Sequence, residues 1–151
     1  MYKKILVPLD GSELSESVLD HVITIATSCQ VPEVVLLRVR EPLDNRVRVA
    51  LDPEIAKELD QAYHDEFANY LKGIARKLEK KGIVVKKEVL AGNPAKEILK
   101  YSRNNDVDLI IMSTHGRSGV SRIVFGSVAN KIIRQTEVPV LLKPAGHSAI
   151  K

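Results

Sequence analysis

The chain contains no tryptophan and a single cysteine, and none of its apolar runs approaches the ~20 residues needed to cross a bilayer. With Cys29 alone there is no intrachain disulfide, which excludes the disulfide-stapled secreted scaffolds and matches a reducing compartment. The N-terminus enters an apolar run that already breaks at Asp10, too short for a signal-peptide core, so the expected location is the cytoplasm. Four Tyr and two Phe are too few aromatics for a platform on which nucleic-acid bases stack. The net charge is +4, but Lys and Arg are scattered rather than gathered into one run, which argues against a nucleic-acid partner. His21, His64, His115 and His147 lack metal-ligand spacing, and no Gly-x-Ser-x-Gly elbow is present, so neither a protein-held metal nor a serine hydrolase is expected.

What remains is an ordinary soluble composition, 44% apolar and 28% charged, in 151 residues. A chain of this size can bury about two-thirds of its unfolded surface around one core. One domain over residues 1–144 is expected, with 145–151 as a short C-terminal tail. Lys3 to Asp10 is an apolar run ending in turn chemistry, as a buried parallel strand does. Asp10-Gly11-Ser12 then supplies a turn and an N-cap, and Leu14, Val18, Val22, Ile25, Ala26 and Cys29 recur at helical spacing. Cys29 on that stripe reads as a small buried hydrophobe rather than a nucleophile.

Glu33 to Arg40 forms a second strand, Glu41 to Pro53 a loop without period, and Pro53 to about Lys81 a long helix stopped by Gly82. Val84 to Leu90 is a third strand, and Asn93-Pro94 opens a helix with Ile98 and Leu99 on its buried face. Asp108 to Ser113 is the most apolar strand and is expected at the centre of the sheet. A glycine-punctuated stretch leads to a helix from Ser127 to about Thr136, with Val128, Ala129, Ile132 and Ile133 inward. Val138 to Lys143 closes the chain as a fifth strand. Strands alternating with helices give an α/β fold, a single-domain, open, parallel five-stranded sheet, Rossmann-like, with helices on both faces; the strand order is expected to be 3-2-1-4-5. Its ligand crevice should then lie outside the carboxyl ends of the first and fourth strands.

Those two ends carry Asp10-Gly11-Ser12 and the stretch from Ser113 to Ser127, rich in glycine (Gly116, Gly119, Gly126) and hydroxyl residues. Glycine lets a backbone come close to phosphate oxygens, and the amides of Ser127, Val128 and Ala129 open a helix whose N-terminus favours an anion. Neither a Walker A loop nor Gly-x-Gly-x-x-Gly occurs. By spacing alone, phosphate binding competes with a plainer account in which Gly116 and Gly119 are loop glycines and Gly126-Ser127 a turn and cap. Asp10 is open in the same way, as a ligand contact or as an Asx-turn residue introducing the first helix.

From end to end the chain resembles the universal stress protein family. Val7 to Ser12 matches its opening Val-Pro-x-Asp-Gly-Ser, and Val138 to Leu141 its closing Val-Pro-Val-Leu. The Gly-x2-Gly-x9-Gly-Ser/Thr motif of its ATP-binding members is matched by Ser113-x2-Gly116-x9-Gly126-Ser127, with serine in place of the first glycine. The resemblance implies an ATP-binding, nucleotide-dependent regulatory or stress-response module, with Mg2+ accompanying the ATP. It further implies that Pro8 and Val39 border adenine and that Asp10 bonds the ribose hydroxyls or helps hold a metal-linked phosphate. Ser113, Thr114, His115, Gly116, Arg117, Ser118 and Gly119 would wrap ribose and phosphates, and Gly126, Ser127, Val128 and Ala129 would cap the phosphates. A homodimer through antiparallel pairing of the fifth strand (Val138 to Lys143) is also implied. No catalytic residue is identified: at most a slow ATPase is expected, because no side chain stands out to deprotonate water. A nucleotide-free dimeric interaction protein of the same fold is the alternative, and Ser113 is its best argument.

Overall fold

A computed structural model of the chain describes residues 1–114 and 126–144. Among these the elements run β1 (Lys4–Pro8), α1 (Glu13–Glu16), α2 (Leu19–Ser28), β2 (Glu33–Arg40), α3 (Asn45–Ala50), α4 (Pro53–Glu79), β3 (Val85–Ala91), α5 (Pro94–Asn104), β4 (Leu109–Ser113), α6 (Ser127–Gln135) and β5 (Val140–Lys143). The five strands form one sheet in the order β3-β2-β1-β4-β5. All pairs are parallel, with Ile5 opposite both Val34 and Leu109, and Ser113 opposite Lys143.

Period-two alternation divides the strand side chains between two cores. Ile5, Val7, Val34, Leu36, Leu109 and Ile111 face α2 and α4, where Val22, Leu71, Ile74 and Leu78 meet them. Leu6, Val35, Leu37, Ile110 and Met112 face α5 and α6, against Ile98, Leu99, Ala129 and Ile132. β1 is sealed on both sides, with Ile5, Leu6 and Val7 each at 0% exposure. It holds the middle of the sheet that the sequence suggested for β4, which is fully buried but lies one place off centre.

Four other expectations need correction. The first helix is two, α1 and α2, because the Ser17 hydroxyl donates to the Leu14 carbonyl (2.6 Å) and Lys143 Nζ donates to the Ser17 carbonyl (2.7 Å). Both carbonyls are thereby drawn from the helical ladder. The 41–53 segment contains a helix, α3, capped by Asp44, whose Oδ1 accepts from Arg46 N at 2.8 Å. None of its residues is buried, so it leaves no apolar period in the sequence. Ile133 of α6 is 42% exposed rather than inward. Cys29 is half-buried at the C-terminal end of α2 rather than enclosed.

α4 is longer than the sheet it covers. Its 27 residues span about 40 Å at 1.5 Å per residue, whereas the eight residues of β2 reach roughly 26 Å. Because α4 runs antiparallel to the strands and its C-terminal half packs on them, its N-terminal half projects past their carboxyl ends. Up to Tyr70 only Ala56 is buried. Asp60 secures that half: its Oδ1 accepts from Arg40 Nη1 at 2.9 Å and its Oδ2 from Arg48 Nη2 at 3.0 Å, tying α4 to the end of β2 and to α3. Replacing Asp60 with Asn is expected to speed amide exchange across 45–50 and 53–62 by about tenfold, leaving β1 and β4 as protected as before. Hydrogen exchange by mass spectrometry reads this directly, and equal protection in both proteins would assign the restraint elsewhere.

Candidate functional site

β1 and β4 are neighbours whose following helices go to opposite faces, so a crevice opens outside their carboxyl ends. It is a cleft of about 850 Å³, within the range that small-molecule sites occupy. Pro8, Leu9 and Asp10 line it from the end of β1, Leu37 and Val39 from β2, Met112 and Ser113 from β4, and Gly126 to Ala129 from the start of α6. Of the expected site residues, Pro8, Asp10, Val39, Ser113, Gly126, Ser127, Val128 and Ala129 thus meet in one place. Thr114 does not line it: it is buried, and its N–H donates to the Lys143 carbonyl at 2.9 Å. His115, Gly116, Arg117, Ser118 and Gly119 lie outside the described residues.

The β1 end is a tight turn with its hydrogen bonds accounted for. Asp10 Oδ1 accepts from Ser12 N (2.9 Å) and from the Ser12 hydroxyl (2.6 Å), an Asx turn that delivers Ser12 as N-cap of α1. Ser12 Oγ in turn accepts from Ser15 N at 3.1 Å, and the buried Ser15 hydroxyl donates to the Ser12 carbonyl at 2.9 Å. Asp10 therefore introduces the helix and at the same time stands exposed on the cleft wall. Gly11 has φ +87°, a left-handed conformation that favours glycine, and a Cβ there would lie 3.0 Å from Arg38 Nη2, so the guanidinium would have to give by a few tenths of an ångström.

Beneath this turn Arg38 is held between rings, its Cζ 3.5 Å from the Phe67 centroid and 4.7 Å from that of Tyr70. The Tyr70 hydroxyl donates to Glu16 Oε1 at 2.8 Å. Burial first, then that carboxylate, pushes the phenol far above its ordinary pKa and keeps it a neutral donor.

The opposite wall is the start of α6. First-turn amides of a helix have no intrahelical acceptor and must find another. Side chains cap α1, α3, α4 and α5, namely Ser12, Asp44, Asp52 and Asn93. At α6 the N-cap is Gly126, which has no side chain to accept from those amides, and the first turn contains no acidic residue. Its φ of −57° is one any residue adopts, so the backbone conformation does not require glycine here. Amides and dipole together make this end receptive to an anion.

Sequence reasoning missed several lining residues: Arg40, Leu43, Tyr63, Phe67, Pro94, Ile98 and Met112. Tyr63 and Phe67 had a usable signal, a helix longer than its strands, which must carry part of its apolar stripe beyond the sheet. Among the described residues no cluster of three or more His, Cys, Asp or Glu could hold a metal by itself. A magnesium ion arriving on phosphate needs less, because it keeps waters and takes only one or two carboxylates. Asp10, Glu41 and Asp44 are the carboxylates on the lining.

The universal stress protein family model matches residues 1–144. Universal stress protein MJ0577 of Methanocaldococcus jannaschii is 34% identical over 154 residues, covering 94% of each chain. Its solved structure superposes with a TM-score of 0.84 at 35% identity, over 98% of this chain and 99% of that one. Universal stress protein MJ0531 of the same organism is 36% identical over 143 residues, 94% of this chain and 82% of its own length. A universal stress protein family protein from Arabidopsis thaliana, solved with AMP bound, shares the fold at 15% identity, with a TM-score of 0.67 over 99% of this chain and 95% of that one.

The Gly11 turn yields a direct test. Gly11→Ala forces a side chain into the left-handed region and against the Arg38 guanidinium, and should lower unfolding stability by about 1–2 kcal/mol. Urea denaturation followed by circular dichroism measures it, and an unchanged midpoint would mean that the turn relaxes freely.

Proposed function

The chain belongs to the universal stress protein family, and from that premise we propose that it binds ATP with Mg2+ in the interstrand cleft as a nucleotide-dependent regulatory module of the stress response. The observation that carries the proposal is the start of α6, a helix N-terminus with neither a capping side chain nor a first-turn acid, opening onto a cleft of about 850 Å³. The amides of Ser127, Val128 and Ala129 and the Ser127 hydroxyl would receive phosphate oxygens. Pro8 and Val39 provide apolar surface for the adenine, and Asp10 is placed for the ribose hydroxyls or for a phosphate-bound magnesium. Ser113 borders the ribose with a side chain where the family motif has glycine. In this proposal His115 to Gly119 wrap ribose and phosphates, as the family motif implies.

Magnesium bound with ATP neutralises and orients the phosphates. The chain's own residues then bind and hold. We assign no catalytic residue, and occupancy acts by altering a surface that a partner reads. Cytoplasmic residence is part of the proposal and rests on the lone Cys29. So is a homodimer: β5 is an edge strand whose Val140, Leu141 and Leu142 are only half-buried, a ladder suited to a second copy in antiparallel register.

Isothermal titration with Mg·ATP is expected to show one site per chain, and acid extraction of the purified protein to release adenine nucleotide. In Gly126→Asp a carboxylate caps the helix itself and repels phosphate, so affinity should fall about 10- to 100-fold. Its unfolding midpoint should hold or rise slightly, aspartate being a better N-cap. Tight ATP binding by this variant would reject the phosphate contact. Absence of binding to the wild type would favour the nucleotide-free interaction protein. Light scattering should give a mass of two chains at micromolar concentration, and a one-chain mass would count against pairing through β5.

A further inference from the structure

We infer that the projecting half of α4 forms an aromatic wall for the nucleotide base, with Phe67 and Tyr63 as the stacking surface and Arg38 as the positioning residue behind Phe67, so that the site selects purine over pyrimidine nucleotides. This deepens the proposed function and rests on it.

Tyr63 and Phe67 are four residues apart and share one face of α4. Both line the cleft, on the N-terminal side of the run from Leu71 onward in which α4 is buried. Tyr63 remains 38% exposed, and its apolar ring has no partner in the core clusters. Pro8, Leu37 and Val39, apolar groups at the ends of β1 and β2, line the same cleft. Together these residues give the β1 and β2 end of the cleft an apolar lining, a slot that begins at β2, one strand removed from β4. A flat, weakly polar heterocycle suits such a slot, while the phosphates suit the far end.

Arg38 explains why Phe67 stands where it does. Its guanidinium covers one face of the ring at 3.5 Å, yet Arg38 does not line the cleft. The guanidinium also touches the Gly11 turn, where a Cβ would lie 3.0–3.2 Å from its atoms. A cation so engaged is well placed to fix two parts of the site, the turn that carries Asp10 and the ring that meets the base. It also draws π density toward itself, so the ring surface left to the cleft is less electron-rich and stacks better on an amino-substituted purine. Asp60, bonded to Arg40 and Arg48, holds the same helical half to β2 and α3. Stacking gains with ring area, which is the basis for purine preference; the wall carries no hydrogen-bond code to separate one purine from another.

Since the chain has no tryptophan, Phe67→Trp supplies a sole indole reporter. Mg·ATP and adenosine are expected to quench it, whereas inorganic tripolyphosphate should not. Phe67→Ala should weaken Mg·ATP about 5- to 100-fold while tripolyphosphate affinity stays within about twofold. Arg38→Met, which keeps length and loses charge, should weaken ATP several-fold, again without moving tripolyphosphate, and should reduce the preference for ATP over CTP. Unchanged ATP affinity in Phe67→Ala, or an indole in Phe67→Trp indifferent to adenosine, would overturn the aromatic wall and leave the phosphate site standing. Equal wild-type affinity for ATP and CTP would overturn the purine preference. Wild-type protein that binds neither ATP nor tripolyphosphate would remove the nucleotide reading, and the wall with it. Should Phe67→Ala not fold, Phe67→Trp quenching decides alone.

Discussion

Burial of β1 on both faces is the constraint on which the rest of the molecule depends. Ile5, Leu6 and Val7 are completely enclosed, between β2 and β4 laterally and between two helical layers above and below. Parallel neighbours require crossovers, and right-handed crossovers on either side of β1 send their helices to opposite faces. The chain must therefore part just beyond Pro8 and Ser113, and the gap between those ends is the cleft. The site is a consequence of how the core is closed.

Around that gap the polar groups fall into two regimes. On the β1 side nearly every group has a partner within the protein: Asp10 bonds Ser12, Ser12 caps α1, Ser15 bonds back to Ser12, and Tyr70 bonds Glu16. Arg38 is fixed by rings and by the Gly11 turn. That wall is rigid because it is satisfied. On the α6 side the helix begins at a glycine with no capping side chain, in contrast to the capped starts of α1, α3, α4 and α5. A satisfied wall facing a helix start that no side chain caps is an arrangement in which an anionic ligand can accept from the first-turn amides.

The third wall comes from length rather than from any motif. α4 outlasts its sheet, and the excess carries Tyr63 and Phe67 to the cleft while the Arg40–Asp60–Arg48 ion pairs hold it down. β5 contributes in another way, because Lys143 reaches Ser17 and thereby ends α1, the helix that the Asp10 turn introduces. An edge strand and the break between α1 and α2 are thus joined by one ammonium–carbonyl bond.

Composition and pattern alone determined the layers: short apolar runs spaced by amphipathic stretches admit little besides a doubly wound parallel sheet. They also determined the start of α5, since Asn93-Pro94 is a local capping signal, and they marked Asp10 and Gly126 because turn and cap chemistry depends on neighbours in sequence. α3 escaped because a helix with no buried residue has no period to read. Ile133 misled because helical spacing tells which residues share a face and not how far the partner surface extends. The division of the first helix needed Lys143, 126 residues away, and the placing of Phe67 over Arg38 needed β2 packed under α4. Those are contacts between distant parts of the chain, and distance along a sequence carries no record of which side chains the closed core brings within reach.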